Sequence, residues 1–219
     1  MLQKRYRLVV FDWDGTLMDS TAIIAASIQA AARDLGYPVP DLATASHVIG
    51  LGLNDALAIA VPLLPASEYQ RMADRYRVHF LARDAATPLF QGAAALLAEL
   101  RERGHLLAVA TGKSSAGLTR AMKATETLKL FAATRCADQT ASKPAPDMLQ
   151  ELMSELDVTC DSTVMIGDTT HDLQMAAYAG VDAVALTHGA HSRSELESLN
   201  PLACVDNISD LGKWLRTNA

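Results

Sequence analysis

The stretch Leu8-Val9-Val10-Phe11-Asp12-Trp13-Asp14-Gly15-Thr16 decides how the chain is read. Leu8 to Phe11 is an apolar run, half of it β-branched, that ends abruptly in an acid and then a glycine. A run so short and so uniformly apolar is a strand buried on both faces, as in a parallel sheet. Its carboxyl end delivers Asp12. Asp12 and Asp14 flank a single residue, and in extended chain side chains at that spacing point the same way. Gly15 marks a turn. Two crowded carboxylates repel unless a cation or a proton relieves them. The pair suits a magnesium ion, with one carboxylate free to attack and the other to shuttle a proton. Taken alone, the same residues also read as an acidic strand-to-loop turn without chemistry.

Similar short runs recur at 106–110, 132–136, 163–166 and 183–186, with a weaker candidate at 203–205. Helical patterns lie between them at about 92–103, 115–124, 147–156 and 173–179. Strands alternating with helices predict an α/β fold, a mostly parallel sheet with helices on both faces. In such folds ligands gather beyond the carboxyl ends of the strands.

Residues 19–86 break the alternation. They hold no convincing strand and read as several helices, at about 20–35, 53–60 and 66–83. Ser20 or Thr21 is the N-cap candidate of the first, and Gly36 its C-terminal stop. Gly50, Gly52, Pro62 and Pro65 separate the later ones. The expected organisation is a core of residues 1–17 and 88–219 with an all-helical cap domain at 18–87. Its hinges would lie at Leu17-Met18-Asp19 and Thr87-Pro88-Leu89.

Half of the 219 residues are hydrophobic and only 5% are aromatic, which favours helices packed closely on a sheet. The formal net charge of -6, without a Lys/Arg-rich run, argues against nucleic acid as a partner. Cys136, Cys160 and Cys204 are odd in number and lack metal-ligand spacing, so they read as small core residues in a reducing cytoplasm. The first apolar run is too short for a membrane span or a signal peptide. The expectation is a cytoplasmic chain without a membrane partner; the oligomeric state is open.

Three further elements carry chemistry. Thr111-Gly112 follows the run 106–110, where a hydroxyl and a backbone N–H can hold a phosphoryl oxygen. Lys143 stands before Pro144 and Pro146, which fix the backbone ahead of a helix and hold a cation in place. Gly167-Asp168-Thr169-Thr170-His171-Asp172 follows the run 163–166, with two carboxylates four apart at the start of a helix. Asp168 would bind a metal directly and Asp172 through water or by orienting a ligand; a capping role is the competing reading of Asp172.

Together these elements resemble the haloacid dehalogenase-like hydrolase superfamily, whose pattern is DxDGT, a strand-end Thr or Ser, a Lys, then GDxxxD. All are present in order, so the resemblance covers the whole chain. It implies a Rossmann-like core with a helical cap. It also implies that Asp12 attacks phosphorus to form an aspartyl-phosphate, while Asp14 protonates the leaving oxygen and then activates water. Thr111, Gly112 and Lys143 would bind the phosphoryl group. Asp12, the Asp14 carbonyl and Asp168 would ligate Mg2+, with Asp172 in support.

Within the superfamily, Asp14 sets the chain apart from the dehalogenases, which lack an acid there. The helical insertion contains no lysine for the Schiff-base chemistry of a carbon–phosphorus hydrolase. The final motif lacks a sugar-phosphate mutase's acidic pair. The remaining resemblance is to phosphoglycolate-phosphatase-like members acting on a small phosphorylated metabolite. A phosphotransferase or mutase, or a non-catalytic phosphate-binding regulator, are the alternatives. Trp13 reads as a wall beside the leaving group or as packing between core and cap. Gly50 and Gly52 let a cap backbone approach the substrate, or simply break two helices. His47, His79 and Arg83 are open candidates for substrate contact.

Overall fold

The computed structural model describes residues 5–84 and 87–219. Residues 1–4 and 85–86, at the start of the expected core and near the end of the expected cap, lie outside the described residues.

Leu8–Phe11 forms β1, fully buried along its length. The other strands are β2 (Leu106–Thr111), β3 (Ala133–Cys136), β4 (Thr163–Gly167), β5 (Asp182–Leu186) and β6 (Ala203–Val205). They make one sheet in the order β3-β2-β1-β4-β5-β6, with every pairing parallel. The helices of this layer are α5 (Ala93–Glu102), α6 (Ser115–Ala124), α7 (Asp147–Leu156), α8 (Thr170–Ala179), α9 (Arg193–Glu197) and α10 (Ile208–Asn218). α1 to α4 precede them in the insertion: α1 (Thr21–Asp34), α2 (Leu42–His47), α3 (Leu53–Ala60) and α4 (Tyr69–Asp84).

The period of two along β1 divides the core into two faces. Val9 and Phe11 pack with Leu97 and Leu100 of α5, Met122 of α6 and Leu215 of α10. Leu8 and Val10 pack instead with Met148 and Leu152 of α7 and Met175 of α8. Both faces of the central strand are thus covered, which is why its sequence is continuously apolar. Phe11 is fully buried, and truncating it to alanine should cost about 3–5 kcal/mol.

The chain runs outward from β1 through β2 to β3, then returns to place β4 on the other side of β1. The crevice at such a reversal is where parallel sheets bind ligands. Asp12 leaves β1 at this point, its N–H donating 2.9 Å to the Ile166 carbonyl of β4.

α1 to α4 have an apolar cluster of their own, including Ile28, Leu57, Met72 and Phe80. The two connections to the sheet layer run side by side: the Asp19 N–H donates to the Pro88 carbonyl and the Phe90 N–H to the Leu17 carbonyl. α2, α9 and α10 are absent from the sequence expectations. The helix expected at 66–83 splits into a 3-10 turn, Ala66–Glu68, and α4. α8 begins at Thr170 rather than near 173, because a capping box between Thr169 and Asp172 starts it earlier. Among the described residues no helix is long and apolar enough to cross a membrane.

Candidate active site

Asp12, Asp168 and Asp172 are all buried at the crevice, and each offers a carboxylate oxygen within 4.8 Å of the others. Asp12 arrives from β1, and Asp168 directly follows β4. Asp172 lies in the first turn of α8, where its Oδ2 accepts from the Thr169 N–H at 3.1 Å and from the Thr169 hydroxyl at 2.7 Å. Asp172 is therefore both a cap and a site residue: one oxygen starts the helix and the other faces the crevice.

Lys143, between β3 and α7, is not a surface lysine. It is 2% exposed, and its Nζ lies 2.7 Å from Asp12 Oδ1 and 2.7 Å from Asp172 Oδ1. Neither ion pair has the angles of a directed hydrogen bond. Both Asp12 oxygens, Asp172 Oδ1 and Lys143 Nζ are thus buried without a hydrogen-bond partner. Asp168 is better held: its Oδ1 accepts from the Thr16 hydroxyl at 2.6 Å and its Oδ2 from the Ala190 N–H at 2.8 Å.

Three buried carboxylates face one ammonium. Burial, partly offset by Lys143 and reinforced by Asp172, pushes the Asp12 carboxyl up to about 7. Burial, together with the charges of Asp12 and Asp172, raises Asp168 well above the usual carboxylate range. Desolvation opposes the charge on Lys143, but Asp12 and Asp172 outweigh it and hold the ammonium above its ordinary value. The excess of negative charge and the undirected Asp12 oxygens fit a hard divalent cation, which takes oxygen ligands and balances two charges. Gly15 belongs to the same construction. Its φ is +84°, and a Cβ there would fall 2.2 Å from Asp168 Oδ2.

Asp14 stands apart from the triad of acids. Lys113 Nζ donates to its Oδ1 at 2.7 Å and its Oδ2 at 2.9 Å, and the Ser20 hydroxyl donates to Oδ1 at 2.6 Å. Neither Lys113 nor this use of Ser20 was expected. Ser20 does occupy the N-cap position of α1, but its side chain makes no capping bond there. The signal for Lys113 was its place directly after the strand-end Thr111-Gly112; that for Ser20 was weaker.

Thr111 ends β2, next to β1, and is 1% exposed. Gly112 lies under the backbone of the helical insertion. A Cβ on it would fall 2.2 Å from the Leu51 carbonyl oxygen and 2.6 Å from that of Gly50. The Gly52 N–H in turn donates 2.7 Å to the Ser142 hydroxyl, beside Lys143. The Gly50–Gly52 backbone thus approaches the phosphate-binding candidates from above. A cleft of about 590 Å³ opens beside this contact, bordered by Asp14, Lys113, Ile24, Ile49, Leu53 and Phe80.

Trp13 does not border this cleft, and its contact toward the insertion is with Met18, at the junction itself. It is fully buried in the sheet core, edge-on to Phe131, with its indole N–H on Met18 Sδ at 3.2 Å. His79 pairs with Asp34 at 2.7 Å, away from the site. His47 marks a second seam: its carbonyl accepts from His171 Nε2 at 2.9 Å and from His191 Nε2 at 3.0 Å. His191 Nδ1 accepts from the Thr170 N–H, which places its proton on Nε2. Arg83 is an exposed residue of the last turn of α4.

A family profile described as "Haloacid dehalogenase-like hydrolase" matches residues 9–186. The chain belongs to that family, and within it is a phosphatase of the phosphoglycolate-phosphatase-like type. It is 35% identical over 210 residues to "Probable phosphatase IndB" of Dickeya dadantii, covering 93% of this chain and 91% of that one. It is 31% identical to a phosphoglycolate phosphatase of Rhodospirillum rubrum, covering 95% and 90% respectively. A crystal structure described as a predicted phosphatase from Clostridium acetobutylicum superposes with a TM-score of 0.86 at 26% identity, covering 97% of this chain and 99% of that one.

Proposed function

We propose that the chain hydrolyses a small-molecule phosphate monoester, phosphoglycolate or a related metabolite, through an aspartyl-phosphate on Asp12. The observation that carries this reading is the buried group of Asp12, Asp168 and Asp172 with Lys143 against two of them. A nucleophilic carboxylate needs to be desolvated and held, and Asp12 is both. Its oxygen attacks phosphorus as the ester P–O bond breaks. Asp14 gives its proton to the departing oxygen, which leaves as an alcohol. The Asp14 carboxylate then takes a proton from water as that water's oxygen attacks phosphorus. The bond from the Asp12 oxygen to phosphorus breaks as the water's oxygen bonds to it, so Asp12 returns as a carboxylate, Asp14 is left protonated for the next cycle, and inorganic phosphate leaves.

Thr111, the Gly112 N–H and Lys143 hold the non-bridging oxygens, where charge accumulates in the loose transition state. Asp12, the Asp14 carbonyl and Asp168, with Asp172 in support, would hold Mg2+, which would supply positive charge to the same oxygens. Residues 18–87 serve as a cap on the core of 1–17 and 88–219, and their opening admits substrate while closure excludes water. Three unpaired cysteines suit a reducing cytoplasm.

Asp12→Asn tests the reading. Magnesium-dependent phosphate release from a generic aryl phosphate should fall by about 10³-fold or more. Retained turnover would end the assignment of the nucleophile.

A further inference from the structure

We infer that the leaving group of the ester is a bulky, apolar ring system, held against the helical insertion in the cleft beside Asp14. The inference rests on the phosphatase reading above and moves its substrate from phosphoglycolate itself to a larger relative.

The cleft is too large for a two-carbon acid. Its volume of about 590 Å³ lies within the range of pockets that take drug-sized ligands, and Asp14, the acid of the reading above, borders it. The departing alcohol is therefore released into this space. Nor is the space a gap that further closure would remove. The insertion already meets the sheet layer: the Gly52 N–H donates 2.7 Å to the Ser142 hydroxyl, and the His47 carbonyl accepts from His171 and His191. A closer approach would drive the Leu51 carbonyl into the backbone at Gly112, where even a Cβ has no room.

The two walls of the cleft differ. On the insertion side stand Ile24, Ile28, Ile49, Leu53, Phe80 and Leu81. Ile24, Ile28, Ile49 and Phe80 belong to the buried cluster of α1 to α4 and Leu53 packs against it, so this wall is fixed before any ligand arrives. Leu81 is 48% exposed and carries the apolar surface outward. On the sheet side Ala116, Gly117 and Ala137 are small, and they leave a slot opposite the apolar wall. Three charged groups at the border have partners of their own: Asp14 accepts from Lys113, Arg77 pairs with Asp74, and Asp138 accepts from Ser115. They do not call for a second charge on the substrate. A ring filling the slot would bury apolar surface of its own and of the wall together, which glycolate cannot do.

The test compares 2-phenylethyl phosphate with ethyl phosphate, whose alcohols differ little in acidity, and with phosphoglycolate, on the magnesium-loaded enzyme. The wild type should favour the phenylethyl ester over either by about tenfold or more in kcat/KM, mostly through KM. Two variants address the walls separately. Ala116 is an exposed residue of α6, and Ala116→Trp would fill the slot from the sheet side. Leu53 is the first residue of α3, where an aspartate suits the helix, and Leu53→Asp would put a charge on the apolar wall. Each should bring the ratio of phenylethyl to ethyl ester to within about threefold of one. Because each variant is its own reference, a general loss of activity cancels. Calorimetry with non-hydrolysable isosteres gives a readout free of turnover. The wild type should bind 3-phenylpropylphosphonate about tenfold more tightly than propylphosphonate, with a more negative heat-capacity change, and both variants should lose the difference. Equal kcat/KM values for the phenylethyl and ethyl esters, or a preference for phosphoglycolate over both, would overturn the inference while leaving the phosphatase reading intact. A preference that survives both variants would do the same. No turnover of any phosphate monoester would overturn the phosphatase reading and the inference with it.

Discussion

Lys143 Nζ lies 2.7 Å from Asp12 Oδ1, and the two side chains are 0% and 1% exposed. A buried pair of this kind is held in place by its own cost: removing one partner strands the other. Lys143 also touches Asp172, so its loss would leave three carboxylates facing one another. Lys143→Met should lower kcat by on the order of 10²–10³ with a smaller effect on KM, since the ammonium acts where phosphoryl charge builds up. The same variant should melt at lower temperature than the wild type without metal, and magnesium should narrow that gap. Steady-state kinetics and melting with and without magnesium check both.

The raised Asp12 carboxyl gives a pH signature to the metal-free protein. Its folded value of about 7 lies above the ordinary 3.8, so between these pH values the folded chain binds more protons at this group than the unfolded chain does. Its contribution to stability is complete below the ordinary value and is lost as pH rises through about 7. In EDTA, the melting temperature of the wild type should therefore decline from pH 5 to pH 8 relative to Asp12→Asn, which has no carboxylate to ionise. The two curves should separate at the alkaline end by at least about 1 kcal/mol, or roughly 2–4 °C. Parallel curves would mean that Asp12 does not feel the crowding that its position implies.

The sheet was legible because its central strands β1 and β4 are buried along their whole length and so read as continuous apolar runs, whereas β6, part-exposed throughout, gave the weakest signal. Asp12, Lys143, Asp168 and Asp172 were legible because each lies just beyond a strand, just before a helix or in a helix's first turn, where chain direction brings them to one crevice. Lys113 and Ser20 were less so: the place of Lys113 after Thr111-Gly112 puts it near the crevice, but that both meet Asp14 depends on two loops coming together, which spacing along the chain does not encode. α2 and α9, six and five residues long, are too short for periodicity to reveal. α10 is different. Ile208, Leu211 and Leu215 have the helical spacing and Asn207 caps them, so its signal was present.

The seam at His47 can be loosened without touching the acids. Its carbonyl accepts from both His171 and His191, so two imidazoles of the sheet layer grip one peptide at the end of α2. His191→Phe keeps a ring but removes both the donor to the His47 carbonyl, which His171 then satisfies alone, and the acceptor of the Thr170 N–H at the start of α8. The expected cost is about 1–3 kcal/mol, the net worth of two such bonds. Hydrogen exchange should report it locally, as faster exchange in α2 with the strands of the sheet unchanged. Uniform acceleration across the protein would assign His191 to global stability instead.

Gly112 tests whether the insertion has to sit where it does for catalysis. Leu51 and Gly50 present their carbonyl oxygens to Gly112 so closely that an added Cβ would fall 2.2 and 2.6 Å away. Backbone atoms cannot rotate aside as a long side chain can, so Gly112→Ala must push the two segments apart. The Gly52 bond to Ser142 lies in the same seam and would stretch with it. The apolar clusters of the sheet layer and of the insertion are separate, so neither core need be disturbed. The expected outcome is a folded protein whose kcat/KM for a small phosphate ester falls by about tenfold or more, because misplacement by about an ångström has costs of that order. Gly50→Ala is the control from the opposite side: its added Cβ would meet the Thr169 side chain at 3.2 Å, a group able to shift, although its φ of +93° adds backbone strain. If Gly112→Ala lost stability yet kept full kcat/KM, the close approach would be packing alone and the insertion would not position the reacting groups.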